Sequence, residues 1–208
     1  MNNSILEYIW LGGNNEIRGK TKILQINENH EIKLEQLPDW NYDSKTKILP
    51  TNENPGFNLE QLPIWNYDGS STKQADGSDS EVILHPVRLY HNPFELTHKD
   101  SNNNCLKNYI VLCDTYLKDG TPHSTNTRYQ ANDILSKHLN EEPWYGIEQE
   151  FFMIDNNTHQ PLGFNTDGSA LPQGQYYCSV GAGNCYGRNI AQEMLNKCLE
   201  IGLNITGL

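Results

Sequence analysis

Basic residues are scarce in this sequence. Fifteen Lys and Arg face 26 Asp and Glu, giving a formal net charge of -11 and a pI near 5.0. Nucleic-acid binding needs a basic stripe on one face, and none is visible, so that partner class is excluded. Long apolar runs are missing as well. No window approaches the length needed to cross a bilayer, and Met1 to Leu6 carries neither the basic nor the apolar segment of a secretory leader. The five cysteines, Cys105, Cys113, Cys178, Cys185 and Cys198, are odd in number and form no C-x-x-C pair, which argues against a disulfide framework or a zinc ribbon. They read as reduced thiols in a cytoplasmic protein. No H-E-x-x-H spacing occurs among His30, His85, His91, His98, His123, His138 and His159, and no Ser-His-Asp grouping can be assembled, so the histidines read as surface or locally satisfied.

What is present fits a globular chain. At 208 residues with 36% hydrophobic and 10% aromatic content, the chain can bury about 70% of its unfolded surface, although a mean hydropathy of -0.69 places it on the polar side. An acidic chain that does chemistry through its carboxylates is suited to ammonium or divalent cations.

A tandem repeat dominates the first third. Lys20–Asp43 aligns without gaps on Lys45–Asp68, with 17 of 24 positions identical: K-T-K-I-L, N-E-N, L-E-Q-L-P and W-N-Y-D recur in order. Two copies are too few for a solenoid. One copy is expected in a sheet and the other as a surface insertion, since long insertions cost little closure entropy. Strands are expected at Glu7–Leu11, Glu16–Leu24 or its duplicate, Glu81–Val87 and Tyr109–Asp114, forming a small mixed sheet. Asn92–Asn108, with three consecutive asparagines, reads as a loop. Apolar spacing predicts a helix over Thr127–Leu139, stopped by Pro143, and another over Arg188–Ile201, closed by Gly202. Between them, Trp144–Ile154 reads as a largely buried strand, being aromatic and β-branched.

Three segments carry chemistry. In Gly146-Ile147-Glu148-Gln149-Glu150, strand geometry would put Glu148 and Glu150 on one face with Cα atoms about 6–7 Å apart. Such a pair repels unless cations lie between, and Mg²⁺ or Mn²⁺ suits those oxygen ligands. A bare E-x-E also describes two solvated glutamates on an open face. Tyr67-Asp68-Gly69-Ser70-Ser71 has the form of a turn in which the Asp side chain bonds nearby amides. Gly181–Arg188 is glycine-rich ahead of a helix but matches neither a P-loop nor a dinucleotide fingerprint.

In this order the segments resemble the glutamine synthetase family, eukaryotic-type (class II). Glu7-Tyr8-Ile9-Trp10-Leu11-Gly12-Gly13 with Ile17-Arg18-Gly19-Lys20-Thr21 resembles the family's opening strands. Tyr67–Ser71 with Asp79–Leu84 resembles its first signature, and Trp144–Phe151 its metal-binding strand. Pro172-Gln173-Gly174 and Tyr176–Arg188 resemble the segment that follows, although Gln175 and Cys185 depart from it. Asp43 repeats the first signature without the Gly-Ser-Ser.

The resemblance implies an α+β chain. Its β-grasp-like N-terminal domain would lie at 7–120, carrying the duplication 20–43/45–68, and the truncated start of the catalytic domain at 127–208. It implies ATP-dependent joining of glutamate and ammonium through γ-glutamyl phosphate, with Mg²⁺ or Mn²⁺, in rings whose sites lie between subunits. Glu148 and Glu150 match the first ligand of each metal site. Asp68, with Ser71 beside it, matches the loop that binds and deprotonates ammonium in the neighbouring subunit's site. The family's further metal-binding glutamates, a histidine, the phosphate- and glutamate-binding arginines and a flap glutamate lie beyond Leu208, so the chain alone is expected to be inactive. The alternatives are a non-catalytic module that joins synthetase rings and a degenerate product with no stable fold.

Overall fold

The computed structural model describes residues 2–26, 59–94, 98–181 and 184–207. The chain divides into two compact units, Met1–Glu142 and Pro143–Leu208.

The first unit is built on one five-stranded mixed sheet. Its strands are β1 (Asn2–Leu11), β2 (Ile17–Ile26), β3 (Trp65–Asp68), β4 (Glu81–His91) and β5 (Lys107–Tyr116), in the order β2-β1-β5-β4-β3. Only β1 and β5 run parallel; the other neighbours are antiparallel. Alternation along β1 sends Ser4, Leu6, Tyr8 and Trp10 into the interior, as a period of two requires. In β4 a bulge between Pro86 and Arg88 shifts that phase by one residue, so Leu84 before it and Leu89 after it join the same core. Pro86 is tolerated because β3 pairs only with Glu81–Leu84, leaving no ladder on that side for its missing N–H.

The sheet curls strongly. β3 is three strands removed from β1, yet Trp65 meets Tyr8 edge-on at 5.4 Å and Tyr67 lies 4.5 Å from Trp10. Leu59 and Leu62, from a short 3-10 turn, plug the core, and the Tyr8 hydroxyl donates to the Pro63 carbonyl at 2.8 Å. The burial that makes this contact dry pushes the Tyr8 phenol well above the ordinary tyrosine range.

The repeat is shared between two strands rather than assigned to one copy. The K-T-K-I-L head in β2 belongs to the first copy, whereas the L-E-Q-L-P turn and the W-N-Y-D of β3 belong to the second. The expectation that one whole copy fills the sheet is corrected. β2 is fixed by its hairpin with β1, and β3 by its continuity with Gly69-Ser70-Ser71, so each anchor selects the copy adjoining it in sequence. The first copy's tail and the second copy's head lie outside the described residues.

Helix α1 (Thr127–Leu135) begins at Asn126, whose side chain accepts from the Tyr129 amide, and tightens into a 3-10 turn over Ser136–Glu141. Arg128 on α1 pairs at 3.0 Å with Asp114 of β5. In the second unit, α2 (Arg188–Glu200) ends at Gly202 with φ 78°, the left-handed stop expected there. Among the described residues no helix is long and apolar enough to cross a membrane. All five cysteines are free.

Candidate functional site

Asp68 ends β3 and caps the 3-10 turn Gly69–Thr72. Its Oδ1 accepts from the Ser70 amide at 3.0 Å and the Ser70 hydroxyl at 2.6 Å, while Oδ2 receives the Ser71 hydroxyl at 3.4 Å. These bonds to the charged form, led by Ser70 and joined by Ser80 and Ser71, hold the exposed carboxyl below the ordinary aspartate range. The result is an ionised carboxylate on the surface, a group that can receive a small cation or a proton.

Gly69 permits this geometry. A Cβ there would fall 2.5 Å from Val82 Cγ2 and 3.0 Å from Ala75 Cβ, and the Gly69 amide donates to Ser80 O at 2.6 Å. The β1–β2 hairpin supports the loop from the other side, where the Gly13 amide donates to Thr72 O at 2.9 Å. A Cβ on Gly13 would fall 2.6 Å from the Lys73 carbonyl oxygen, so glycine is required for the close approach.

Beneath the turn lies a polar network centred on Gln74. Its Oε1 accepts from the Tyr67 hydroxyl at 2.5 Å and the Thr72 hydroxyl at 2.8 Å, and its Nε2 donates to Leu11 O at 3.1 Å and Thr125 Oγ1 at 2.9 Å. His123 Nε2 donates to the Gln74 carbonyl at 2.6 Å, an assignment fixed by the Thr125 amide donating to Nδ1 at 3.1 Å. Burial pushes the Tyr67 phenol up to about 12, so it remains a donor. His123 is thus buried and bonded across 49 residues of sequence, not merely surface or locally satisfied as the spacing implied.

Glu148 and Glu150 lie in the second unit. The expected strand Trp144–Ile154 is absent; the only pairing there is an isolated bridge between Ile154 and Pro161. Nor is the stretch buried, with Trp144 95%, Ile147 89% and Phe152 77% exposed. A strand needs a neighbour to take its backbone hydrogen bonds, and the described residues supply one only at the end of the stretch, where Leu162 N donates to Met153 O at 2.7 Å. Both glutamates face solvent, and among the described residues no three His, Cys, Asp or Glu side chains gather as a metal group. Their oxygen chemistry suits a hard divalent ion, but two carboxylates fall short of the six ligands such an ion takes. Asp68 and Ser71 are therefore brought together, while Glu148 and Glu150 belong to a different unit from them.

Gln74 and His123 were given no role by sequence reasoning, and Tyr67 and Thr72 entered only as part of the turn motif. The signal for Gln74 was weak, a lone amide just after Ser-Ser-Thr, because its partners Leu11 and Thr125 are 63 and 51 residues away.

No family model matches the chain. Individual relatives do. A protein of Acanthamoeba polyphaga mimivirus, provisionally named a glutamine synthetase, is 43% identical over 204 residues, which are 98% of this chain and 48% of the relative. The chloroplastic glutamine synthetase of Daucus carota is 39% identical over 206 residues, 98% of this chain and 39% of the relative. Glutamine synthetase cytosolic isozyme 2 of Vitis vinifera is 38% identical over 209 residues, 98% of this chain and 48% of the relative. The chain spans about half the length of the curated relatives it matches.

Proposed function

We propose that this chain, homologous over 98% of its length to glutamine synthetases, supplies one half of a glutamate–ammonia ligase. On this reading residues 7–120 form the β-grasp-like N-terminal domain and 127–208 the start of the catalytic domain, in a cytoplasmic, ring-forming assembly. The observation that carries the proposal is the Asp68 turn. An exposed carboxylate, held ionised chiefly by Ser70, is a group suited to bind ammonium and take its proton.

The reaction transfers the γ-phosphoryl group of ATP to the glutamate side-chain carboxylate, releasing ADP. Ammonia then attacks the acyl carbon of γ-glutamyl phosphate and inorganic phosphate leaves. Asp68 would hold ammonium beside that carbon and accept the proton that frees the nitrogen lone pair, with Ser71 fixing the second oxygen. Glu148 and Glu150 would hold Mg²⁺ or Mn²⁺ together with ligands from the half not spanned here. When bound, such ions neutralise charge on the transferring phosphoryl oxygens. The unpaired, apolar stretch around both glutamates is what a strand lacking its neighbour exposes, and it supports a need for that other half.

The test is γ-glutamyl transfer by the purified chain with Mg²⁺ or Mn²⁺, alone and mixed with a polypeptide covering the remaining half of a relative, alongside sizing. The proposal expects turnover only in the mixture. Ring assembly without turnover would favour the non-catalytic module instead.

A further inference from the structure

We propose that Gln74 is a positioning residue of the Asp68 turn, the side chain that ties both flanks of the turn to the scaffold and so helps set where the carboxylate points. The inference rests on reading Asp68 as the ammonium-binding group, and it adds a residue that acts only through others.

A primary amide offers two acceptor lone pairs and two donor hydrogens. Gln74 uses all four, and the division is directional. Both lone pairs go to the turn, receiving the hydroxyls of Tyr67 and Thr72, the residues that bracket Asp68 to Ser71. Both hydrogens go to the body of the unit, reaching the last carbonyl of β1 at Leu11 and the hydroxyl of Thr125 after β5. The main chain of Gln74 repeats the pattern, its amide donating to Gly69 O at 2.8 Å and its carbonyl accepting from His123. One buried residue therefore ties both ends of the turn to the end of β1 and to the segment between β5 and α1.

Asp68 bonds to Ser70 and Ser71 within the same turn and to Ser80 just ahead of β4, so its direction follows largely from the turn that Gln74 ties to the scaffold. A group that merely filled the core would not need this split between acceptors to the loop and donors to the scaffold.

The experiment is an NMR titration of the Asp68 side-chain carboxyl and the Ser70 amide in the full chain, for wild type, Gln74→Met and Tyr67→Phe, with amide exchange in β1 and β5 as the check on folding. The inference expects the Gln74→Met midpoint to climb from its depressed position towards an ordinary exposed aspartate, and the Ser70 amide signal to move, with exchange protection in β1 and β5 retained. Tyr67→Phe removes one of the two turn contacts and shifts the same two signals in the same direction by less. It stands in if Gln74→Met does not fold. An unchanged Asp68 midpoint and Ser70 signal in either folded variant overturns the positioning role, whatever happens to the melting temperature. The titration contains no ammonium, so it fails or succeeds independently of the ligase reading, which the 15N-incorporation assay described below tests separately.

Discussion

The Lys20 ammonium donates to the Asn66 carbonyl at 3.1 Å and stands 3.8 Å above the Trp65 ring, joining the head of the first repeat copy to the tail of the second. Lys22 lies over the same ring at 4.6 Å. The two edge strands of the curled sheet are thus clasped by residues from different copies.

Deleting Asn27–Thr51 should therefore leave the first unit intact, because the β2 head and the β3 tail are both retained. Shortening the connection from Ile26 to Leu59 fourfold or more lowers its closure cost by about 1 kcal/mol. Thermal melting should show an unchanged or higher Tm. A fall of several degrees would mean that the removed residues carry contacts the fold depends on.

Gly69→Ala should disturb the site more than its size suggests. The new methyl meets Val82 and Ala75, costing about 1–3 kcal/mol by overpacking. Denaturation should register that loss, and the Ser70 amide signal should shift because the turn has to move. A folded variant with an unaltered Ser70 signal would contradict the close packing.

The Asp114–Arg128 pair gives the first unit a defined pH response. Burial raises the Asp114 carboxyl, with Arg128 opposing. The folded state therefore binds this proton more tightly than the unfolded state does. The group's contribution is fully present below the ordinary aspartate range and is lost as pH rises through the raised folded value. Arg128→Ala removes the opposing charge, raises the carboxyl further and costs about 2–3 kcal/mol at neutral pH. Urea titrations from pH 4 to 7 should show the variant losing stability more steeply than wild type. Parallel slopes would show that Arg128 does not hold the carboxylate.

Ser70→Ala should bring the Asp68 midpoint up towards that of an unassisted carboxyl, since Ser70 is the main cause of its depression. Carboxyl-detected NMR titration reads this directly. No change would mean that the clasp seen at 2.6 Å does not hold in solution.

Much of the first unit was legible in the sequence, and the reasons are local. Alternation located β1, β2, β4 and β5, although β1 begins at Asn2, ahead of the expected Glu7, and apolar spacing located α1, which ends at Leu135. β3 was missed because its four residues read as the approach to a turn; what makes them a strand is Glu81–Leu84 alongside. The Asp68 turn was legible from Asp-Gly-Ser-Ser, but the Gln74 network that holds it was not, because it joins residues distant in sequence. Trp144–Ile154 failed for a different reason. Its composition is that of a strand, but a strand forms only where a neighbour takes its backbone hydrogen bonds, and composition cannot say whether one exists.

The most direct measurement is incorporation of 15N from labelled ammonium into glutamine, with ATP, glutamate and Mg²⁺, by this chain mixed with a polypeptide covering the other half of a relative. Labelled glutamine should form in the mixture, be absent with either polypeptide by itself, and fall by about 100-fold or more with Asp68→Asn, the scale of a lost proton acceptor. Turnover by the chain on its own, or a mixture indifferent to Asp68→Asn, would contradict the account.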